Sequence, residues 1–137
     1  MEVNELEDFK DIHISYKTAV LAQQKNFYCI CPHRFINEEN ILGGWIGHAK
    51  PEPAEEDIQK YIEDSDAYPI ASTQQILREW IEINVNLSVF VVPEYKQGKL
   101  LYTSCILNKT TKKVKKLKNY FVKYSQAMED GLFNALL

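Results

Sequence analysis

Two apolar runs of similar length, LSVFVV at 87–92 and LLYTSCIL at 100–107, flank the polar segment PEYKQGK. Nothing else in the chain limits its fold as strongly. The runs are rich in β-branched and aromatic residues, which suit a pleated surface. Pro93 and Gly98 mark a turn between them, so the runs are expected to pair back on one another. A second turn at 108–112 leads to a third, lysine-rich strand over 114–122. Three short strands make a sheet that is stable only when one face is covered.

Helical periodicity supplies that cover. Ser72 stands as an N-cap with Gln75 three residues on, the capping-box spacing, and Ile76, Leu77, Trp80 and Ile81 follow as one apolar stripe. Asn86 is a natural stop, since its short polar side chain tolerates left-handed backbone. After the strands, Tyr124, Ala127, Met128, Gly131, Leu132, Ala135 and Leu136 recur at helix spacing. Gly131 on that stripe predicts a helix seated close to the sheet. The order from residue 72 is therefore α-β-β-β-α, an α+β arrangement with both helices on one face of a small antiparallel sheet. Trp80, Ile76, Leu77, Val89, Val91, Met128, Leu132 and Leu136 are expected to share one core.

The first half is less regular. SYKTAVLAQQKN at 15–26 predicts an N-terminal helix with Ser15 as N-cap and Asn26 as stop, burying Tyr16, Ala19 and either Val20 or Ala22. FYCICPHRFI at 27–36 reads as extended until Pro32, which donates no ladder hydrogen bond, so a strand here is short or lies at an edge. An irregular acidic segment, 37–66, holds a turn at Gly43 and Gly44 and a short amphipathic helix in AEEDIQKYIED, with Ile58, Tyr61 and Ile62 inward. A chain of 137 residues is expected to be a single domain, with an acidic part over 1–71 and the α-β-β-β-α part over 72–137.

The formal net charge of −3 conceals an asymmetry. Residues 1–68 carry fourteen acids against six bases, net −8; residues 69–137 carry five against ten, net +5. Such a split reads first as two solvated surfaces, and otherwise as an acidic half shielding a basic one within one fold or as two opposed faces for different partners. No apolar run reaches the roughly 18 residues of a membrane span. The acidic start MEVNELEDFKD lacks the apolar region of a secretory signal. Three cysteines, Cys29, Cys31 and Cys105, are an odd and sparse set, which favours a reducing cytoplasm.

Three segments resemble blocks of one family. STQQILREWIE resembles a Pro-Thr-Gln-x-Leu-Leu-x-x-Trp-Leu-Arg-Glu block, and YSQAMEDGLFNALL resembles its C-terminal companion, Tyr-Glu-Glu-Ala-x-Glu-x-Gly-Leu-x-x-Ala-Leu. SYKTAVLAQQKNF is similar to the opening of the same group. These are small proteins common in phages and prophages of the Bacteroides group. The resemblance covers about half the chain and implies a phage or mobile-element origin, hence the cytoplasm of a bacterial host. It carries no assigned activity. The chain departs from the group at Lys123, where many relatives place a helix-capping Ser or Thr, and in a longer acidic insert before Ser72.

Catalytic layouts are not recognisable. There is no G-x-S-x-G elbow, P-loop, H-E-x-x-H or glycine-rich dinucleotide turn, so the expected function is non-enzymatic and calls for no cofactor. Cys–His nucleophilic catalysis could in principle use Cys29 or Cys31 with His13 or His48, given a thiolate-stabilising environment. Cys29, Cys31 and His33 form C-x-C-x-H with His48 further on, but zinc pairs usually leave two or more residues between cysteines. The expectation is no metal.

The lysine run says more. Lys109, Lys112, Lys113, Lys115, Lys116, Lys118 and Lys123 place seven positive charges in fifteen residues. On a strand, Lys113 and Lys115 share one face, while Val114, Lys116 and Lys118 share the other. The three-step spacing of Val114, Leu117 and Tyr120 breaks the period of two and predicts a bulge or a late strand start. Lysines on a strand usually protect a sheet edge from pairing with another chain. The other reading is anion binding, with Lys112, Lys113, Lys115, Lys116, Lys118 and Tyr120 as the site. The element order also matches that of double-stranded-RNA-binding domains. Their basic final-helix turn, however, is replaced here by Ser125, Gln126, Glu129 and Asp130.

The sequence is thus read as an accessory protein of phage type that binds a host or phage protein, with a counter-defence role among its uses. A nucleic-acid-binding module using the lysine strand is the first alternative. A protein that sequesters a small ligand such as a nucleotide is the second.

Overall fold

The computed structural model describes residues 12–29, 33–38, 41–42, 56, 59–60 and 67–137. In chain order its elements are α1 (Tyr16–Gln24), β1 (Arg34–Phe35), β2 (Ile41–Leu42), α2 (Gln74–Asn84), β3 (Leu87–Lys96), β4 (Lys99–Asn108), β5 (Lys113–Lys116) and α3 (Tyr124–Leu136). They fall into two compact units, His13–Ser72 and Thr73–Leu137 with Ile12.

The second unit is the α+β arrangement expected, α-β-β-β-α, with a three-stranded antiparallel sheet in the order β3-β4-β5. β3 and β4 pair along ten residues, from Leu87 opposite Asn108 to Lys96 opposite Lys99. The strand runs straight through Pro93, and the turn is only Gln97 and Gly98, at φ 53° and 79°. Two successive positive φ values match the right-handed twist of the flanking strands, as in a type I′ turn. The Pro93 turn expected from sequence is therefore corrected. Tyr102, opposite Pro93, exchanges both of its backbone hydrogen bonds with Phe121 on the other side, so Pro93 is not asked for a donor.

Residues directly opposite one another share a face, so Val89, Val91, Ser104 and Ile106 line one side of this sheet. α3 lies on that side, and Ala127, Met128, Gly131, Leu132, Ala135 and Leu136 form its buried stripe. The helix sits close because Gly131 has no side chain. A Cβ there would fall 2.7 Å from Val89 Cγ1 and 2.9 Å from Ser104 Cβ. α2 buries Gln74, Leu77 and Ile81, a narrower stripe than expected. Ile76 is 38% exposed and Trp80 is half-buried, so these two flank the core rather than fill it. The reason is rotational: Gln74, Leu77 and Ile81 follow the three-to-four step of one helix face, whereas Ile76 and Trp80 lie a residue off it.

The helix caps show what each terminus lacks. α2 begins one residue later than expected. Thr73, not Ser72, is its N-cap, and the Thr73 hydroxyl accepts from Ile76 N–H at 3.3 Å. Gln74, inside the helix, turns inward and donates through Nε2 to Ser125 O and Glu129 Oε1 of α3. α3 starts after Lys123, which has the extended backbone of an N-cap but an ammonium that cannot accept from the first-turn N–H groups. Gln126 supplies the other half of the motif, its Oε1 accepting from Lys123 N–H at 3.3 Å. Replacing Lys123 by Thr completes the box. The Lys123→Thr variant is expected to be more stable by about 0.5–1 kcal/mol, read as a higher denaturation midpoint at unchanged slope. A lower midpoint would refute the capping account.

In the first unit, Ser15 caps α1 as expected, its hydroxyl accepting from Thr18 N–H at 3.2 Å. Asn26 takes φ 64° and ends the turn. Thr18, Ala19 and Ala22 are the buried residues of α1, while Tyr16 is half-buried and meets Phe35 edge to face at 5.5 Å. β1 pairs with β2, and Arg34 also bridges Ile70. Glu56, Gln59 and Lys60 are helical, but Ile58, Tyr61 and Ile62 of the expected helix, Pro32, and the Gly43 and Gly44 turn lie outside the described residues.

Candidate functional site

The lysine run forms the β5 edge of the sheet and the bulge that follows it. β5 pairs with β4 from Lys113 opposite Asn108 to Lys116 opposite Cys105. Leu117 N–H still donates to Ser104 O, and pairing resumes only at Phe121. One residue of β4, Thr103, spans the three residues 118–120. This is a bulge, one of the two readings the spacing allowed. Thr103 is fully buried and its hydroxyl lies 2.8 Å from Asn119 O and 3.2 Å from Leu117 O, so one proton serves both carbonyls the bulge leaves unpaired.

Strand alternation then fixes what β5 offers. Lys113 and Lys115 direct their backbone groups toward β4, which leaves the N–H and C=O of Val114 and Lys116 pointing outward. The side chains of Lys113 and Lys115 belong to the sheet face that carries α3, and those of Val114 and Lys116 to the opposite face. All four are exposed, Val114 by 57%. Lys112 sits in the preceding turn at φ 62°, and Lys118 is exposed in the bulge. That turn is built by Asn108, whose Oδ1 accepts from Thr110 and Thr111 N–H at 3.0 and 3.1 Å.

Tyr120 and Lys116 come together with two residues that sequence reasoning missed, Glu94 and Lys96 of β3. Lys116 forms an ion pair with Glu94, and Lys96 Nζ lies 3.9 Å from the centre of the Tyr120 ring. Lys116 first, then Tyr120, holds the Glu94 carboxyl below the usual carboxylate range; Glu94 first, then Tyr120, raises Lys116 above the usual ammonium range. The contribution of Glu94 is lost only as pH falls through its lowered value. That of Lys116 is lost only as pH rises past its raised one, so the pair persists through neutrality. Lys116 is therefore committed within the fold, and Lys112, Lys113, Lys115 and Lys118 carry the outward charge. No local sequence signal pairs residues 94 and 116, because the contact crosses an intervening strand.

Of the nucleophile and metal candidates, His13, Cys29 and His33 lie among the described residues. Cys105 is buried on β4, and burial pushes its thiol above the ordinary value, which keeps it protonated and poorly nucleophilic. Cys29 is half-buried, and His13 meets His33 edge to face at 5.7 Å. Cys31 and His48 lie outside the described residues, among which no three His, Cys, Asp or Glu side chains converge on a metal position. None of the described helices is long and apolar enough to cross a membrane. No family model, curated protein or solved structure matches the chain.

Proposed function

We propose that this chain is a binding protein whose β5 edge takes an extended acidic segment of a protein partner as an added strand. The observation that carries the reading is the outward-facing backbone of Val114 and Lys116, framed by the exposed lysines 113, 115 and 118. Main-chain pairing would supply affinity, and alternating acids opposite lysines would supply specificity. A second copy is a poor occupant of the same edge, because antiparallel pairing of two such strands sets lysine against lysine. The phage-type blocks at 15–27, 72–82 and 124–137 support a host or phage protein as the partner, with counter-defence as one such role.

Two probes and two variants test this. The probes are a peptide of alternating Glu and Val and a single-stranded oligonucleotide. Val114→Pro removes an outward N–H without altering charge, and proline is tolerated on a strand edge. Replacing Lys113, Lys115 and Lys118 by Gln removes charge and leaves the backbone intact. Strand addition requires that both variants weaken the peptide. A phosphate contact responds to the lysine variant alone, with roughly one unit of salt slope lost per contact. Parent binding of the oligonucleotide below about 1 μM at ~0.15 M salt, indifferent to Val114→Pro, would replace this reading with the nucleic-acid one.

A further inference from the structure

The β3–β4 hairpin is longer than the third strand beside it. Among the described residues, the last pairing on that side is Tyr102 with Phe121. Three pairs of the hairpin lie beyond it: Glu94 with Leu101, Tyr95 with Leu100, and Lys96 with Lys99. At about 3.4 Å per residue they carry the turn roughly 10 Å past Phe121. All six residues from Tyr95 to Leu100 are exposed. The ribbon is nevertheless fixed in shape. Gln97 and Gly98 close it at φ 53° and 79°, and its register continues the ten-residue pairing of β3 with β4. A preformed tip loses little freedom when it binds.

Its two faces differ in chemistry. Tyr95 and Leu100, directly opposite one another, share one face and are 78% and 41% exposed. Lys96 and Lys99 share the other. Lys96 rests its ammonium on the Tyr120 ring, 3.9 Å from the centre. Just past Phe121 come Val122, 73% exposed, and the exposed Lys123. The charge has one sign. From Tyr95 to Met128 the sequence holds nine lysines and no acid, and Glu94, just before, is paired with Lys116. A nucleic-acid backbone would use the lysines but gain little from a leucine, whose carbon surface contributes only on leaving water. A second copy set tip to tip would bring lysine against lysine. A lipid surface uses every group: a phenol at headgroup level, a leucine at the acyl boundary, and ammonium groups beside anionic headgroups. We infer that this hairpin tip docks on an anionic membrane surface, Tyr95 and Leu100 entering the interface and Lys96 and Lys99 meeting the headgroups. The apolar pair and the lysines are two weak signals that hold together what neither holds alone. Acids farther than about 8 Å from the tip are largely screened at physiological salt.

Co-sedimentation of the full chain with vesicles tests this. One preparation is phosphatidylcholine alone, and the other carries about 30% phosphatidylserine to supply anionic headgroups. Binding to the anionic vesicles should be half-complete below about 1 mM lipid at ~0.15 M salt, and at least about tenfold weaker on phosphatidylcholine. Tyr95→Ser and Leu100→Ser should each weaken it about tenfold, and Lys96→Gln with Lys99→Gln together by at least about tenfold. A cross-strand pair also steadies its ribbon, so each variant's denaturation midpoint is read beside its binding. Either serine variant decides the matter should the other fail to fold. Val114→Pro, on the β5 edge, should leave vesicle binding unchanged, which keeps this result separate from strand addition. Unbound anionic vesicles, equal binding to phosphatidylcholine, indifference to Leu100→Ser, or loss with Val114→Pro would each overturn the inference. So would pelleting without vesicles, the mark of a second copy at the tip. A single-stranded oligonucleotide that binds through Lys96 and Lys99 while vesicles stay unbound would assign the tip to nucleic acid instead.

Discussion

Gly131→Ala is expected to destabilise the protein by about 1–3 kcal/mol, although alanine is the better helix former by up to about 1 kcal/mol. The sign is set by space. The new methyl would stand 2.7 Å from Val89 Cγ1, 2.9 Å from Ser104 Cβ and 3.0 Å from Ser104 Oγ. Val89 can give by turning its side chain, but Ser104 Cβ is fixed to the central strand and cannot. α3 must then lift off the sheet and loosen Met128, Leu132 and Ala135 beside it. A Leu at 131 adds three further carbons to the same space and is expected to prevent native packing. Urea denaturation followed by far-UV dichroism measures both. A Gly131→Ala midpoint above that of the parent would show that the helix and sheet are not in close contact there.

Leu132→Ala is expected to cost more than Trp80→Ala, although tryptophan is the larger residue. Leu132 is fully buried between α3 and the sheet, and truncating such a leucine costs about 2–5 kcal/mol. Trp80 is half-buried at the flank of α2, so its truncation should fall below the roughly 3–5 kcal/mol of a fully buried aromatic. Parallel denaturation of the two variants decides between them. The opposite order would place Trp80 in the core, as the apolar stripe of the sequence suggests.

The two readings of Trp80 show where sequence reasoning reaches and where it stops. Period counts located α2, α3 and the three strands, because a long element repeats its pattern often enough to be seen. They did not orient α2, since Ile76, Leu77, Trp80 and Ile81 are all apolar and Gln74, which the fold buries, is not. Its amide is inward because it reaches Ser125 and Glu129 on α3, partners some fifty residues away. Pro93 misled for a related reason: a proline stops a central strand but not an edge one, and edge position is a property of the whole sheet. β1 and β2 have two residues each, too few to show any period. At the candidate site the exposed lysines and the bulge were legible in the local spacing. The ion pair that removes Lys116 from the ladder was not, because its partners lie on strands that are not neighbours.

The bulge between β5 and Phe121 also sets how the edge moves. Only four residue pairs hold β5 to β4, whereas ten hold β3, and Phe121 is pinned separately by its two bonds to Tyr102. The segment from 109 to 120 is thus a strap fastened at both ends. It can detach without releasing α3, since the anchor at Phe121 stands between them. A loop of that length closes on the order of 10–100 ns once free, and its detachment costs the ladder hydrogen bonds, the Lys116–Glu94 ion pair and the burial of Leu117. The edge proposed for a partner and the helix α3 are therefore fastened separately, and a strand traded at β5 would cost the burial of Leu117 while the stripe of α3 stays packed.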